Sequence, residues 1–202
     1  MKNKLLQLCH ILIAASCLGP MPVTSLAASS TQYANLSTTN QYSIEIIKSQ
    51  KKLLVKQGGR TIRQYEAAVG RGGAGSKRQQ GDRITPVGVY TVVDFRKSDQ
   101  FHYFVQINYP NMVDAWYGYK NNIIDAHEFS AISSAIRNQQ EPPQNTALGG
   151  YIGIHGIGQT TDEKLLIHSG LDWTQGCIAL TNEEIMELRQ YVDVGTLIYI
   201  RD

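Results

Sequence analysis

A cysteine and two histidines are the residues of this sequence whose types and spacing fit nucleophilic catalysis. Cys177 follows a glycine, and His155 and His168 precede the cysteine by 22 and 9 residues. A cysteine attacks as the thiolate, and a neighbouring imidazole can take up the thiol proton. The three residues therefore predict a cysteine nucleophile with one of the two histidines as its general base.

Cys177 has a simpler alternative role, which is that of a small side chain packed in the core. Ile178 and Leu180 follow it with the alternation of a strand that buries one face. Against this, Gly176 permits the positive φ that a sharp loop-to-strand turn requires. The polar and aromatic residues from Asp172 to Gln175 also place the thiol at the edge of an element. These features favour the nucleophile.

The element that carries each histidine distinguishes the two candidate bases. His155 ends an alternating strand-like run that begins at Tyr151 and stops at Gly156. His168 lies in residues 157–171, which we interpret as a loop that returns to the site. A general base must lie about 3 Å from the group whose proton it accepts, and a strand end holds it there better than a long loop. We therefore predict His155 as the base and His168 as a substrate contact or a surface residue.

The sequence gives little support for a bound cofactor or metal. Residues Gly70 to Gly75 match GxGxxG, but the polar segment after them ends at Pro86 instead of opening a helix that could hold a pyrophosphate. His155 and His168 are not at a recognised metal-ligand spacing, and a single thiol cannot build a site of several cysteines. We expect neither a metal nor an organic cofactor.

The first residues of the chain have the features of a secretory signal peptide over residues 1–27. Two lysines precede an apolar run from Leu5 to Leu18, and Ser25-Leu26-Ala27 has the small-x-small pattern of a cleavage site. The apolar run is shorter than a bilayer-spanning helix, so we predict no permanent transmembrane anchor. Lipidation at Cys17 is the less favoured alternative, because the residues before it match a lipobox only in part. Either process implies export from the cytoplasm.

Removal of this segment changes both the charge and the cysteine count of the chain. The whole chain carries 19 basic and 17 acidic residues, and the loss of Lys2 and Lys4 leaves 17 of each. A neutral chain offers no electrostatic reason to bind nucleic acid or an anionic membrane. Cys177 then remains as the single thiol, so it is buried, intermolecular or reactive but not in an intramolecular disulfide.

After a leader rich in Ser, Thr and Asn over residues 28–41, residues 42–202 form one predicted domain. Helices are predicted from Asp125 to Asn138 and from Thr181 to Val192, the second with a capping box. Short runs rich in Val, Ile and Tyr predict strands over 42–48, 52–56, 61–69, 88–95, 103–108, 151–155, 177–180 and 196–200. The predicted fold is mostly β, a sandwich or barrel-like sheet with one or two short helices.

Two segments of the sequence together resemble the signature of the YkuD-type L,D-transpeptidase catalytic domain. They are Ile154-His155-Gly156 and TQGCIALTN from Thr174 to Asn182. The similarity includes GDRITPVGVY over residues 81–90 and covers roughly residues 42–200. It implies a mostly β fold, a periplasmic or wall-facing location, and cysteine acyl transfer on the stem peptides of peptidoglycan.

In such enzymes the cysteine attacks the bond between the third, diamino acid residue of a tetrapeptide stem and its terminal D-alanine. An amine of a neighbouring stem then resolves the thioester and forms a cross-link. By position, the resemblance makes Cys177 the nucleophile and His155 the base, with an oxyanion hole of N–H groups near Gly176 and Cys177. Together with the loop around the thiol, it predicts Gly156, Thr174, Gln175, His168 and Trp173 as substrate-binding residues.

Two positions depart from the family pattern. Gln175 stands where histidine is often found, and Ala179 stands where arginine is often found, so the substrate carboxylate is expected to bind elsewhere, at Lys77, Arg78 or Arg83. The same variants occur in a subgroup of the family whose members include hydrolases, so the resemblance leaves the acceptor open between an amine, as in a transpeptidase, and water, as in an L,D-carboxypeptidase or endopeptidase. A third alternative is a non-catalytic wall-binding module in which Cys177 is only packed.

Overall fold

Eight β-strands form one sheet in the computed structural model, which describes residues 41–202. The strands are β1 (Tyr42–Ile47), β2 (Lys52–Gln57), β3 (Arg60–Glu66), β4 (Gly88–Ser98), β5 (His102–Ile107), β6 (Gly153–Gly156), β7 (Ile178–Leu180) and β8 (Leu197–Arg201). Their order across the sheet is β3-β2-β1-β8-β4-β5-β6-β7. The pairs β1–β8 and β6–β7 are parallel, and the others are antiparallel. The predicted signal peptide and Cys17 lie outside the described residues.

One hydrophobic core receives side chains from all eight strands. In β1, Ile44 and Ile46 are fully buried, and in β2 Leu53 and Val55 occupy the same positions of the alternation. Each such aliphatic side chain contributes about 1.5–3 kcal/mol by leaving water. Because both ends of the sheet contribute to a single core, the sheet curves around it. The prediction of a mostly β, sandwich or barrel-like fold is confirmed.

Four α-helices and a short 3-10 turn at Lys48–Gln50 accompany the sheet within residues 41–202. The helices are α1 (Met112–Lys120), α2 (Ala126–Arg137), α3 (Asp162–Gly170) and α4 (Asn182–Leu188). The predicted helices correspond to α2 and α4. As predicted, α4 begins at a capping box in which the Thr181 hydroxyl accepts the Glu184 N–H and the Glu184 carboxylate accepts the Thr181 N–H. None of the helices among these residues has the length and apolar character needed to span a bilayer.

The other two helices were not predicted. The interpretation of residues 157–171 as a loop was wrong, because α3 occupies most of this segment. No residue of α3 is buried, so it has no apolar stripe, and its start depends on the Thr161 side chain, which accepts from the Lys164 N–H. Helix α1 is rich in aromatic residues and begins at Asn111, whose side chain forms a capping box with Asp114.

The strands β5, β6 and β7 bring the predicted catalytic residues to one face of the sheet. Ile154 of β6 is paired with Ile178 of β7, and both side chains lie in the core. His155 is paired with Ala179, so these two residues face the opposite side. Cys177 directly precedes β7, which starts one residue later than predicted. By the same alternation, Cys177 lies on the same side as His155, opposite Ile154 and Ile178.

Candidate active site

A compact turn from Thr174 to Cys177 presents the thiol. The buried Thr174 hydroxyl accepts from the Gly176 N–H at 3.1 Å and donates to the Cys177 carbonyl at 2.6 Å. Gly176 has φ 132°, and a Cβ at this position would lie 3.0 Å from the Ile84 carbonyl oxygen and 3.2 Å from Ile152 Cδ1. The turn therefore requires glycine both for its backbone conformation and for the close approach of residue 84.

The Cys177 thiol donates a hydrogen bond to the Tyr151 carbonyl, with 3.5 Å between sulfur and oxygen. Tyr151 has φ 54°, which is uncommon for a bulky residue and costs on the order of 1–3 kcal/mol. The Gln144 side chain holds it there, because its Oε1 accepts the Tyr151 N–H at 2.6 Å. The Gln144 Nε2 in turn donates to the carbonyls of Tyr109 at 2.9 Å and Pro142 at 2.7 Å. Gln144 thus orients the Tyr151 carbonyl, which accepts the hydrogen bond from the thiol.

We expect Gln144→Ala to misplace this carbonyl and to weaken the thiol hydrogen bond. A hydrogen bond donated by the neutral thiol raises its pKa, so its loss shifts the pH midpoint of Cys177 alkylation to lower pH. The misplaced nucleophile also reduces activity by about tenfold, as expected for a lost neutral hydrogen bond. Asn145→Ala is the matched control, because it removes an exposed neighbouring amide. Equal alkylation profiles in the two variants would contradict the role of Gln144.

His155 lies beneath an aromatic cover and is 2% exposed. Its Nδ1 is 2.8 Å from the Gly156 carbonyl oxygen, which can only accept, so Nδ1 carries the proton and Nε2 keeps its lone pair. The ring centroid of Phe101 lies 4.1 Å from that of the imidazole, and the edge of Trp173 approaches with centroids 5.9 Å apart. Burial lowers the pKa of His155 to about 4, against the opposing Gly156 hydrogen bond. The imidazole is therefore neutral at pH 7 and able to accept a proton.

The thiol is also neutral in the free protein. Cys177 keeps part of its surface open to solvent, yet burial of the sulfur among protein atoms raises the pKa of the thiol to about 11. The Gly153 N–H and the charge of Lys77 oppose this rise only in part. Among residues 41–202, the sulfur donates to Tyr151 and makes no hydrogen bond to the imidazole. The arrangement fits proton transfer during attack better than a preformed thiolate–imidazolium pair.

His168 lies on α3 and contacts Trp173, as His155 does. The Trp173 indole N–H donates to His168 Nδ1 at 3.4 Å, and the two ring centroids are 6.5 Å apart. Burial lowers the pKa of His168, although Glu184 and Glu66 oppose this effect. Both histidines thus approach Trp173, and within residues 41–202 His168 makes no hydrogen bond to the Cys177 thiol.

The remaining predicted residues divide by exposure. Gln175 is exposed beside the thiol, whereas Gly156 is buried and its carbonyl orients the imidazole. Of the two predicted oxyanion donors, the Gly176 N–H already donates to the Thr174 hydroxyl. The Cys177 N–H has no acceptor within residues 41–202, so it is available to an oxyanion. Those residues also contain no group of three or more His, Cys, Asp or Glu side chains placed to hold a metal ion.

Sequence reasoning missed Tyr151, Gln144 and Phe101 as parts of this site. The single local signal for the first two was the pair Gly149-Gly150, which precedes Tyr151. Gly150 packs against the Gln144 backbone so closely that a Cβ would lie 2.6 Å from its Cα. Such a close approach requires glycine but does not reveal from sequence which residue lies opposite.

Known proteins resemble this chain in sequence and in fold. The family described as YkuD, the L,D-transpeptidase catalytic domain, matches residues 41–200. Bd1075 of Bdellovibrio bacteriovorus is similar in structure, with 22% sequence identity and a TM-score of 0.51. The helical cell shape determining protein Pgp2 of Campylobacter jejuni has 22% identity and a TM-score of 0.52. These similarities cover 81% and 84% of this chain but 49% and 53% of the two others, about half of their lengths. No curated protein matches the chain.

Proposed function

Because this chain belongs to the YkuD family of L,D-transpeptidase catalytic domains, we propose that it is an exported cysteine L,D-transpeptidase acting on tetrapeptide stems of peptidoglycan. The observation that carries the proposal is that His155 lies on β6 and that Cys177 directly precedes β7, the strand paired with β6. The buried imidazole has its Nδ1 fixed by the Gly156 carbonyl, and its Nε2 has no hydrogen-bond partner among residues 41–202. Export by the signal peptide over residues 1–27 to the periplasm or cell envelope is part of the proposal.

In the first half of the proposed reaction, Cys177 Sγ attacks the carbonyl carbon of the third stem residue. His155 Nε2 takes the thiol proton, and the Cys177 N–H donates to the developing oxyanion. When the intermediate collapses, the C–N bond to the terminal D-alanine breaks and the imidazolium returns the proton to the leaving amine. A thioester and free D-alanine result.

In the second half, an amine of a neighbouring stem attacks the thioester carbon. His155 takes a proton from that amine, the C–S bond breaks, and the thiolate recovers a proton from the imidazolium. The product is a direct cross-link between two diamino acid residues. The sulfur's partial exposure and the exposed Gln175 beside it favour water as the second candidate acceptor, which makes the protein an L,D-carboxypeptidase or endopeptidase.

Product analysis of purified protein incubated with tetrapeptide-stem muropeptides tests the proposal. We expect muropeptide dimers joined directly between diamino acid residues, together with release of D-alanine. Monomeric tripeptides without dimers would identify water as the acceptor. Unchanged tetrapeptides would contradict both reactions and leave the non-catalytic wall-binding module as the explanation. The Cys177→Ala variant is the control for contaminating activity.

A further inference from the structure

The proposed substrate ends in a carboxylate, which requires a cationic partner close to the thiol. Three basic residues of the segment 77–83, namely Lys77, Arg78 and Arg83, are candidates by sequence, and the structure separates them. We propose that Arg83 binds the terminal carboxylate of the stem peptide, the carboxylate of the amino acid that leaves. This inference rests on the proposed function and adds the residue that selects a free carboxyl terminus.

The Lys77 ammonium is buried and already has hydrogen-bond partners within the protein. It is 4% exposed, and its Nζ donates to Asp82 Oδ1 at 2.9 Å and to the Gln79 carbonyl at 2.8 Å. A buried ammonium paired in this way would have to break the ion pair in order to bind a ligand, and breaking buried pairs is strongly destabilising. Lys77 therefore stabilises the turn at Asp82 and is not the residue that binds the substrate carboxylate.

Arg78 is also engaged. Its guanidinium carbon lies 3.9 Å from the centroid of the Tyr117 ring on α1. A guanidinium stacked on an aromatic face is held by a cation–π interaction and by its contact area. Arg78 would have to leave this ring in order to form a bidentate pair with a carboxylate near the thiol.

Arg83 is held in place by its neighbours while its side chain stays free. The Asp82 carboxylate accepts from the N–H groups of Arg78 at 2.6 Å, Gln79 at 3.0 Å and Ile84 at 3.2 Å, in addition to its pair with Lys77. These bonds build a turn in which Arg83 has φ 59°, a conformation that is uncommon outside glycine. The Arg83 side chain is exposed and makes no hydrogen bond or ion pair within residues 41–202. The turn thus fixes the backbone from which this side chain extends.

The turn lies against the nucleophile. Ile84, the next residue after Arg83, has its carbonyl oxygen 3.0 Å from the position that a Gly176 Cβ would occupy. The Arg83 carbonyl accepts the Gly72 N–H at 2.8 Å, and in the same strand-like segment the Arg71 N–H donates to the Thr174 carbonyl at 3.1 Å. Residue 84 therefore approaches the Thr174–Cys177 turn directly, and Arg83 is linked to the turn through residues 71 and 72. Its planar guanidinium matches a carboxylate with two parallel hydrogen bonds.

Arg71 is the competing residue, because it is also exposed and unpaired within the described residues. It lies between Gly70 and Gly72-Gly73 in a glycine-rich segment without an arrangement like that of Asp82. Backbone hydrogen bonds hold this segment as well, but the four hydrogen bonds to the Asp82 carboxylate gather the residues on both sides of Arg83 into one turn, so less conformational freedom is lost when Arg83 binds a ligand. This difference favours Arg83.

Steady-state kinetics with two donor stems test the inference, one with a free terminal carboxylate and one with a terminal amide. For Arg83→Gln, we expect KM for the free acid to rise by about 10- to 100-fold, as for a lost charged hydrogen bond, with kcat changed little. The amide donor should show less than about a twofold change, since it lacks the charge that Arg83 binds. Arg83→Lys should restore part of the affinity, and Arg60→Gln, at an exposed arginine in the β2–β3 hairpin, should match the wild type.

Three results would overturn the inference while leaving the proposed function intact. Arg83→Gln could raise KM equally for the acid and the amide, or it could leave KM for the acid unchanged. Alternatively, Arg71→Gln could be the variant that loses affinity for the acid alone. Binding of both stems to Cys177→Ala protein, measured by calorimetry, separates the two failures. If the wild type neither turns over the stems nor, as Cys177→Ala, binds them, the proposed function fails and the assignment of Arg83 fails with it.

Discussion

His155→Gln is expected to reduce kcat/KM on tetrapeptide stems by about 10³-fold, within the range for loss of general acid–base catalysis, and Cys177→Ala to abolish thioester formation. The glutamine amide can still donate to the Gly156 carbonyl, so the variant preserves the local hydrogen bond while removing the proton acceptor. The effect is large because the thiol is neutral and needs a base during attack. Mass spectrometry of the acyl-enzyme and product analysis measure the two outcomes.

The pH dependence of kcat/KM follows from the same two groups. The pKa of His155 is lowered to about 4, so the imidazole is protonated, and the rate lost, only as the pH falls toward 4. The pKa of Cys177 is raised to about 11, so the neutral thiol persists up to strongly alkaline pH. We therefore expect a plateau from about pH 5 to about pH 10 in place of a narrow bell.

His168→Ala serves as the control for the choice of base. It should keep kcat/KM within about threefold of the wild type, since His168 contacts Trp173 and transfers no proton in the proposed reaction. A loss in His168→Ala as great as that in His155→Gln, or an activity of His155→Gln near that of the wild type, would show that the assignment of the base is wrong. Thermal unfolding of each variant excludes loss of the fold as the cause.

Gly176→Ala is expected to destabilise the protein by about 1–3 kcal/mol and to lower kcat/KM by about 100-fold. The new Cβ would lie 3.0 Å from the Ile84 carbonyl oxygen, in a backbone conformation that alanine adopts rarely. Relief of this contact moves the Thr174–Cys177 turn and thereby the sulfur and the Cys177 N–H. Urea unfolding measures the first effect and steady-state kinetics the second.

Gly73→Ala is the matched control for Gly176. Gly73 also has a positive φ, 93°, but a Cβ there would meet no atom within 4 Å. It should therefore show the conformational cost of about 1 kcal/mol without the loss of activity. If Gly73→Ala and Gly176→Ala lose activity equally, the close approach of residue 84 to the turn is not what positions the thiol.

Local patterns were sufficient to predict the mostly β fold and the helices α2 and α4. The resemblance of the motifs indicated the family, and the match over residues 41–200 confirms the family. The alternation of buried residues and the capping box at Thr181 operate within a few neighbouring residues, so they are legible without a structure. The roles of Cys177 and His155 stay predictions, although the structure brings both residues to one face. Helix α3 escaped prediction because it buries no side chain and therefore has no periodic apolar signal.

By itself, then, the sequence singled out the candidate catalytic residues Cys177 and His155 and the strands next to or around them, whereas the tertiary structure decided how those residues are set. Burial makes the imidazole and the thiol neutral, and burial depends on the packing of strands distant in sequence. The acceptor of the thiol, Tyr151, lies 26 residues before it and is held by Gln144. Likewise, Lys77 and Arg83 are equivalent as cations in the sequence. The fold alone separates them, because it pairs the lysine with Asp82 and leaves the arginine exposed.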